Sequence, residues 1–253
     1  MDRLPDSPIA GYEDLNAWMD GFWSDFSQSC KNRPDSNASQ RSKFVREGSC
    51  ATLTACWITR KKTKISLSWL NYGDSPLLIF DRTPKSGLNL LFSAPFNLAD
   101  MGRDPHLLNW KDLPDAGQLR AGSLDLPERC TVVLASDGIG QFLWLRHLRH
   151  TGAVAPGISA PSPRLDDAFR AHAAQPPTDF VRELDAVRAN LDDEAAFAHM
   201  LAAIHAQGLM ANDDATLILI DVDVEWPHIE PPPAAADATP PDDTPQPTDR
   251  TAP

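Results

Sequence analysis

The sequence predicts a mixed α+β domain, on three observations. Leu15, Trp18, Met19, Phe22, Trp23 and Phe26 recur at the spacing of one broad helical face. Residues 49–58 alternate apolar and polar side chains, and Ile65, Leu67 and Trp69 repeat the alternation after a polar turn, which is the pattern of a β-hairpin. Residues 131–135 are a short, β-branched, apolar run, as a strand buried on both faces requires, and residues 216–222 read as a final apolar strand.

The remaining elements follow in chain order. A loop rich in Pro, Asn and Ser is expected over residues 32–42. Lys61 and Lys62 at the hairpin turn read as a solvated turn that discourages edge pairing. Residues 77–80 read as a strand just past the turn-forming Gly73-Asp74-Ser75-Pro76. Residues 83–129 hold many Pro, Gly, Asp and Asn and only short apolar runs, so a long irregular connection is expected, with one brief strand near residues 88–92. Connections of that length inside a domain often carry function. Helical spacing resumes over residues 139–149, with further helices at 164–173 and 178–190. In a last helix Asp192 or Asp193 caps the start, Phe197, Met200, Leu201 and Ile204 share a face, and Gly208 ends it.

Residues 226–253 hold nine of the 23 prolines, with small and acidic residues, and read as a disordered, solvating tail. That leaves residues 1–225 as one domain. The tail contributes −4 of the formal charge of −12, leaving −8 on the domain. An acidic balance argues against nucleic acid and anionic membrane as partners. No run approaches the roughly 20 apolar residues of a membrane span, and the N-terminus lacks the basic flank and apolar core of a signal peptide, so a cytoplasmic location is expected. Cys30, Cys50, Cys56 and Cys130 form no CxxC pair and are expected to be buried, reduced thiols. His147 and His150 sit three apart on a helix, and are expected at its solvated basic end, where positive charge is favourable.

Two acidic clusters share one placement. Asp137 directly follows the strand at 131–135, and Asp213 and Asp214 lead directly into the strand at 216–222. If those strands are antiparallel neighbours, the end of one lies beside the start of the other, and the carboxylates converge. Converging carboxylates repel unless a cation joins them, and an all-oxygen site suits Mg²⁺ or Mn²⁺. The same residues also suit ordinary turns at strand ends, and spacing alone does not separate the two readings.

The ordered blocks "EGSCATLTACWI", "LSWLNYGDSPLLIF", "TVVLASDGIGQF" and "NDDATLILIDV" resemble the later part of the metal-dependent, PPM or type 2C, protein phosphatases, over about residues 47–224. The resemblance implies a four-layer α/β/β/α sandwich. It implies hydrolysis of phosphoserine and phosphothreonine in a phosphorylated protein substrate, by a water bridging two Mn²⁺ or Mg²⁺ ions. On the matching motifs, Asp137 and Asp213 take the places of metal-binding carboxylates, and Asp74 that of an acid holding a further, weaker ion. Thr216 and Gly138 look like their structural companions, Gly138 by permitting close backbone approach.

Nothing in residues 1–46 resembles the family's opening strands, with their phosphate-gripping arginine and the Asp-Gly-His-Gly type motif whose aspartate bridges both metals. "DGF" at 20–22 lies within the first helix, and Gln141 stands where the family often has an acid. The resemblance therefore implies a sandwich lacking its opening strands, with a weakened metal site and weak or absent hydrolysis. It also implies sheet edges that a partner chain would complete. The competing expectation is a pseudophosphatase acting as a binding or regulatory module.

Overall fold

The structure, a computed structural model of the 253-residue chain, describes residues 4–33, 37–61, 64–82, 87–109, 111–177, 179–211 and 213–223. The proline-rich tail predicted over 226–253 lies outside them.

The chain folds in the order α1 (Tyr12–Lys31), α2 (Ala38–Glu47), β1 (Cys50–Ala51), β2 (Leu53–Lys61), β3 (Lys64–Tyr72), β4 (Leu77–Asp81), β5 (Asn89–Ala94), β6 (Leu108–Asn109), β7 (Arg120–Asp125), β8 (Arg129–Ala135), α3 (Asp137–His150), α4 (Asp166–Ala174), α5 (Phe180–Arg188), α6 (Glu194–Ala206) and β9 (Leu217–Asp223). Short 3-10 turns lie at Leu98–Gly102 and Pro163–Leu165. One sheet has the order β2-β3-β7 and the other β5-β4-β8-β9, while β1 and β6 form a separate short pair. Every pairing within these sheets is antiparallel.

Alternation along the strands builds four layers, and the α+β sandwich is observed. On β3, Ile65, Leu67 and Trp69 face Leu77 and Ile79 of β4 and Cys130 and Val132 of β8, filling the space between the sheets. The opposite parity of β3, Leu70 and Tyr72, packs against Leu15, Trp18 and Met19 of α1. The opposite parity of the second sheet, Leu78, Phe80, Val133 and Ala135, meets Ile139 and Leu143 of α3, Phe169 of α4 and Leu184 of α5. The run Leu77-Leu78-Ile79-Phe80 is wholly buried because it feeds two cores at once. Each such side chain contributes about 1.5–3 kcal/mol by leaving water.

Three expectations are corrected. Residues 38–42 are not loop but the start of α2, set by a capping box in which the Asn37 side chain accepts from the Gln40 backbone N–H and the Gln40 side chain from that of Asn37. Residues 83–129 are not irregular throughout. β7 pairs along β3, from Ser66↔Asp125 to Asn71↔Arg120, although its sequence, Arg-Ala-Gly-Ser-Leu-Asp, lacks a strand's alternation because it is a half-exposed edge. Of the cysteines, Cys130 is buried but Cys50 is exposed.

Candidate functional site

β8 and β9 are antiparallel neighbours, with Ala135 opposite Leu217. The end of β8 therefore lies beside the entry to β9, as the two acidic clusters require. Ser136 staples them: its N–H donates to the Thr216 carbonyl at 2.9 Å, and its hydroxyl accepts from the Thr216 N–H at 3.1 Å. That hydroxyl also reaches the Asp214 carbonyl at 3.3 Å. Ser136 occupies the position just before α3, its hydroxyl engaged with Thr216 and Asp214 rather than with the helix, which puts Asp137 at the first helical position, where the N-terminal dipole favours a carboxylate.

Asp74 arrives from the other side, in the turn joining β3 to β4. Gly73 takes φ +101°, and a side chain there would meet Thr52 Cγ2 at 2.6 Å, so both conformation and space demand glycine. The next residue is clamped: the Ser75 carbonyl accepts from Asn71 Nδ2 at 2.9 Å and from the Thr54 hydroxyl, and Ser75 Oγ meets Thr52 Oγ1 at 2.6 Å. Pro76 then lies against Gly140 of α3, where an added Cβ would stand 2.2 Å from Pro76 Cγ. The Ala135 N–H donates to the Pro76 carbonyl at 3.1 Å. Turn, strand end and helix start thus form one packed corner.

In that corner Asp74 lies within the field of the Asp137 charge. The Asp74 carboxyl is raised above its usual range, first by burial and then by the Asp137 charge, opposed by a hydrogen bond from its own backbone. Asp213 is placed differently. It is exposed, and its Oδ1 accepts from the Asp214 N–H at 2.8 Å. Among the described residues no three His, Cys, Asp or Glu side chains gather closely enough to hold a metal ion. The acids present are Asp74 and Asp137, with Asp213 exposed at the entry to β9, and carboxylates of this kind suit a hydrated divalent cation. Mg²⁺ in particular accepts one or two carboxylates and keeps its waters.

Two further expectations are corrected. A Cβ at Gly138 would meet only Met210, at 3.7 Å, so the close approach belongs to Gly140. His147 is not solvated: it is 5% exposed, packed between the rings of Phe80 and Phe180, and burial pushes its pKa down to about 4. His150, one turn on, is exposed.

The sequence also left unread a cleft of about 200 Å³ that opens from Asp74. Its lining also includes Asp100, Arg103, His106, Gln118 and Arg120, all within the stretch expected to be irregular. The one available signal was the length of that stretch.

The architecture is thus an α/β/β/α sandwich with a carboxylate pair where the two sheets and α3 meet. No family model matches the sequence, and no curated protein matches it. Among solved structures the chain is similar to the phosphatase domain of the cell fate determinant SpoIIE from Bacillus subtilis, at 12% identity over 81% of this chain and 75% of that one, with a TM-score of 0.33. It is also similar to the photosystem II phosphatase PBCP, at 12% identity over 85% of this chain and 84% of that one, with a TM-score of 0.33. At such identity and TM-score, neither likeness carries a residue's role over to this chain.

Proposed function

We propose that the chain is a metal-dependent phosphatase of the PPM type, acting weakly on phosphoserine and phosphothreonine in proteins. The observation that supports the reading is the packed corner in which Asp74 feels the Asp137 charge, beside the paired ends of β8 and β9. Its residues lie in three of the four sequence blocks that resemble the family. Asp74, Asp137 and Asp213 are the residues that would hold an Mg²⁺ or Mn²⁺. Such an ion acidifies a coordinated water and offsets charge on the phosphoryl oxygens. The chain's own residues orient that set: Ser136 fixes the start of α3, and the Ser75 clamp fixes Asp74.

The test is phosphate release from a phosphoserine peptide with Mn²⁺. Slow release is expected, lowered at least about tenfold in Asp137→Ala and in Asp74→Ala. Release that persists unchanged in both variants would sink the reading.

A second reading, a non-catalytic binding module, is favoured by the lack of a three-ligand group among the described residues. Calorimetric titration separates the two, since this module predicts no heat of binding at millimolar Mn²⁺. A partner chain completing a sheet belongs to either reading. It would pair along β9, an edge strand whose Leu219 faces the helical layer and whose Ile220 faces the other sheet.

A further inference from the structure

Asp74, Asp100 and Asp104 line the cleft together with Arg103 and Arg120, and the two guanidinium groups offer more donors than Asp100 and Asp104 take up. Asp100, whose side chain is 13% exposed, receives both guanidinium groups: Arg103 Nη1 at 3.2 Å and Arg120 Nη1 at 3.4 Å. Each arginine offers five donors, and these two share one carboxylate through single, long contacts. The neighbouring acid, Asp104, does not redress the balance, because Arg164 already occupies it at 2.6 Å.

Arg120 is also held in place. It begins β7 opposite Asn71 of β3, and its guanidinium lies over the Phe96 ring at 5.1 Å from the centroid. Stacking and partial burial fix the plane of the fork, so little freedom is lost when a ligand engages it. Arg103, 73% exposed, keeps the freedom to turn and meet a ligand. Asn97 caps the 3-10 turn bearing Asp100, accepting from its backbone N–H at 3.1 Å, so the acid that spaces the two arginines is fixed as well.

We propose that this cleft is a subsite for an anionic side chain of the substrate peptide, adjacent in sequence to the phosphorylated residue, with Arg120 and Arg103 as its binding residues. The inference rests on the phosphatase reading for the placement of the phosphoryl group at Asp74 and Asp137. The volume, about 200 Å³, admits one such side chain. A carboxylate of Glu or Asp and a second phosphoryl group share the chemistry, both accepting two parallel N–H donors from one guanidinium.

The test uses the full chain and three fluorescent phosphoserine peptides, whose residue beside the phosphoserine is Glu, Gln or a second phosphoserine. Anisotropy is read in the cold with Mn²⁺ present, on a timescale short against the slow release expected of this chain. The Glu peptide is expected to bind about five- to tenfold more tightly than the Gln peptide at low salt. That preference should shrink in roughly 0.5 M sodium chloride and vanish in Arg120→Gln. Arg103→Gln should reduce it, and unchanged urea midpoints would show that both variants fold. The third peptide ranks the sources: tighter binding than the Glu peptide assigns the subsite to doubly phosphorylated sequences, and weaker binding to acidic ones.

Equal affinity for the Glu and Gln peptides overturns the subsite, as does a preference that survives Arg120→Gln. Hydrolysis of p-nitrophenyl phosphate with Mn²⁺ is measured separately. Its absence alongside an intact Glu preference would sink the phosphatase reading and leave the anionic subsite standing.

Discussion

Gly140 is the residue on which the corner turns. A methyl group there would stand 2.2 Å from Pro76 Cγ and 2.7 Å from Cδ, and a proline ring has no rotamer to yield. Gly140→Ala is therefore expected to cost about 1–3 kcal/mol by overpacking, read as a lower urea midpoint. Gly138→Ala, facing the flexible Met210 at 3.7 Å, should leave the midpoint much nearer that of the parent chain. The two glycines are indistinguishable in the sequence "SDGIGQF", because the atom that separates them comes from Pro76, 64 positions earlier. Asp137 was legible for the opposite reason: the end of an apolar strand is a local signal. The exposure of Asp213 was not, since it depends on how the turn before β9 closes.

At the scale of elements, α2 tests how far capping can support a helix. None of its residues is buried, and its ends are held by the box at Asn37 and Gln40, by Lys111 donating to the carbonyls of Val45 and Arg46, and by Asn109 donating to that of Glu47, with Phe44 against the Phe26 ring of α1. Asn37→Ala is expected to cost about 1 kcal/mol of local stability. Faster amide exchange confined to residues 40–47 would show it, while a uniform change across the chain would contradict it. The signal for α2, an Asn with Gln three residues on, was present in the sequence, masked by the Pro, Asn and Ser around it. β7 gave no such signal. Gly122 lies under Trp69, where an added Cβ would meet the indole at 3.2 Å, and that contact across the sheet stands in for the missing alternation. β2, β3, β4, β8 and β9 were legible because their own side chains meet a core.

The whole molecule should lose stability in mild acid. His147 and His172 are 5% and 0% exposed, and burial pushes each pKa down to about 4 from an ordinary 6.5. The unfolded chain then binds more protons than the folded one between pH 6.5 and about 4. Stability is complete above that window and falls as pH drops through it, by about 1.4 kcal/mol per pH unit for each imidazole. Asp74, whose pKa is raised, acts in the opposite sense over the range between the ordinary carboxylate value and its raised one. Urea midpoints at pH 7 and pH 5 measure the balance, and a double His147→Phe, His172→Phe variant should flatten the profile. At this scale the sequence announced the classes of element but not their layering, because which sheet each face of β3 or β4 meets is settled only when all the strands are assembled.

The clamp on Ser75 gives the carboxylate pair a thermodynamic character of its own. Folding holds two like charges together and half-buries one of them, a local frustration that the rest of the fold must overcome. Asp74→Asn should therefore raise the thermal midpoint of the metal-free protein even as it abolishes any response to Mn²⁺. A lowered midpoint would mean that the pair is not in conflict. Because Thr52, Thr54 and Asn71 have already ordered the turn, an arriving cation would have little chain left to immobilise, and its binding would register chiefly as relief of repulsion.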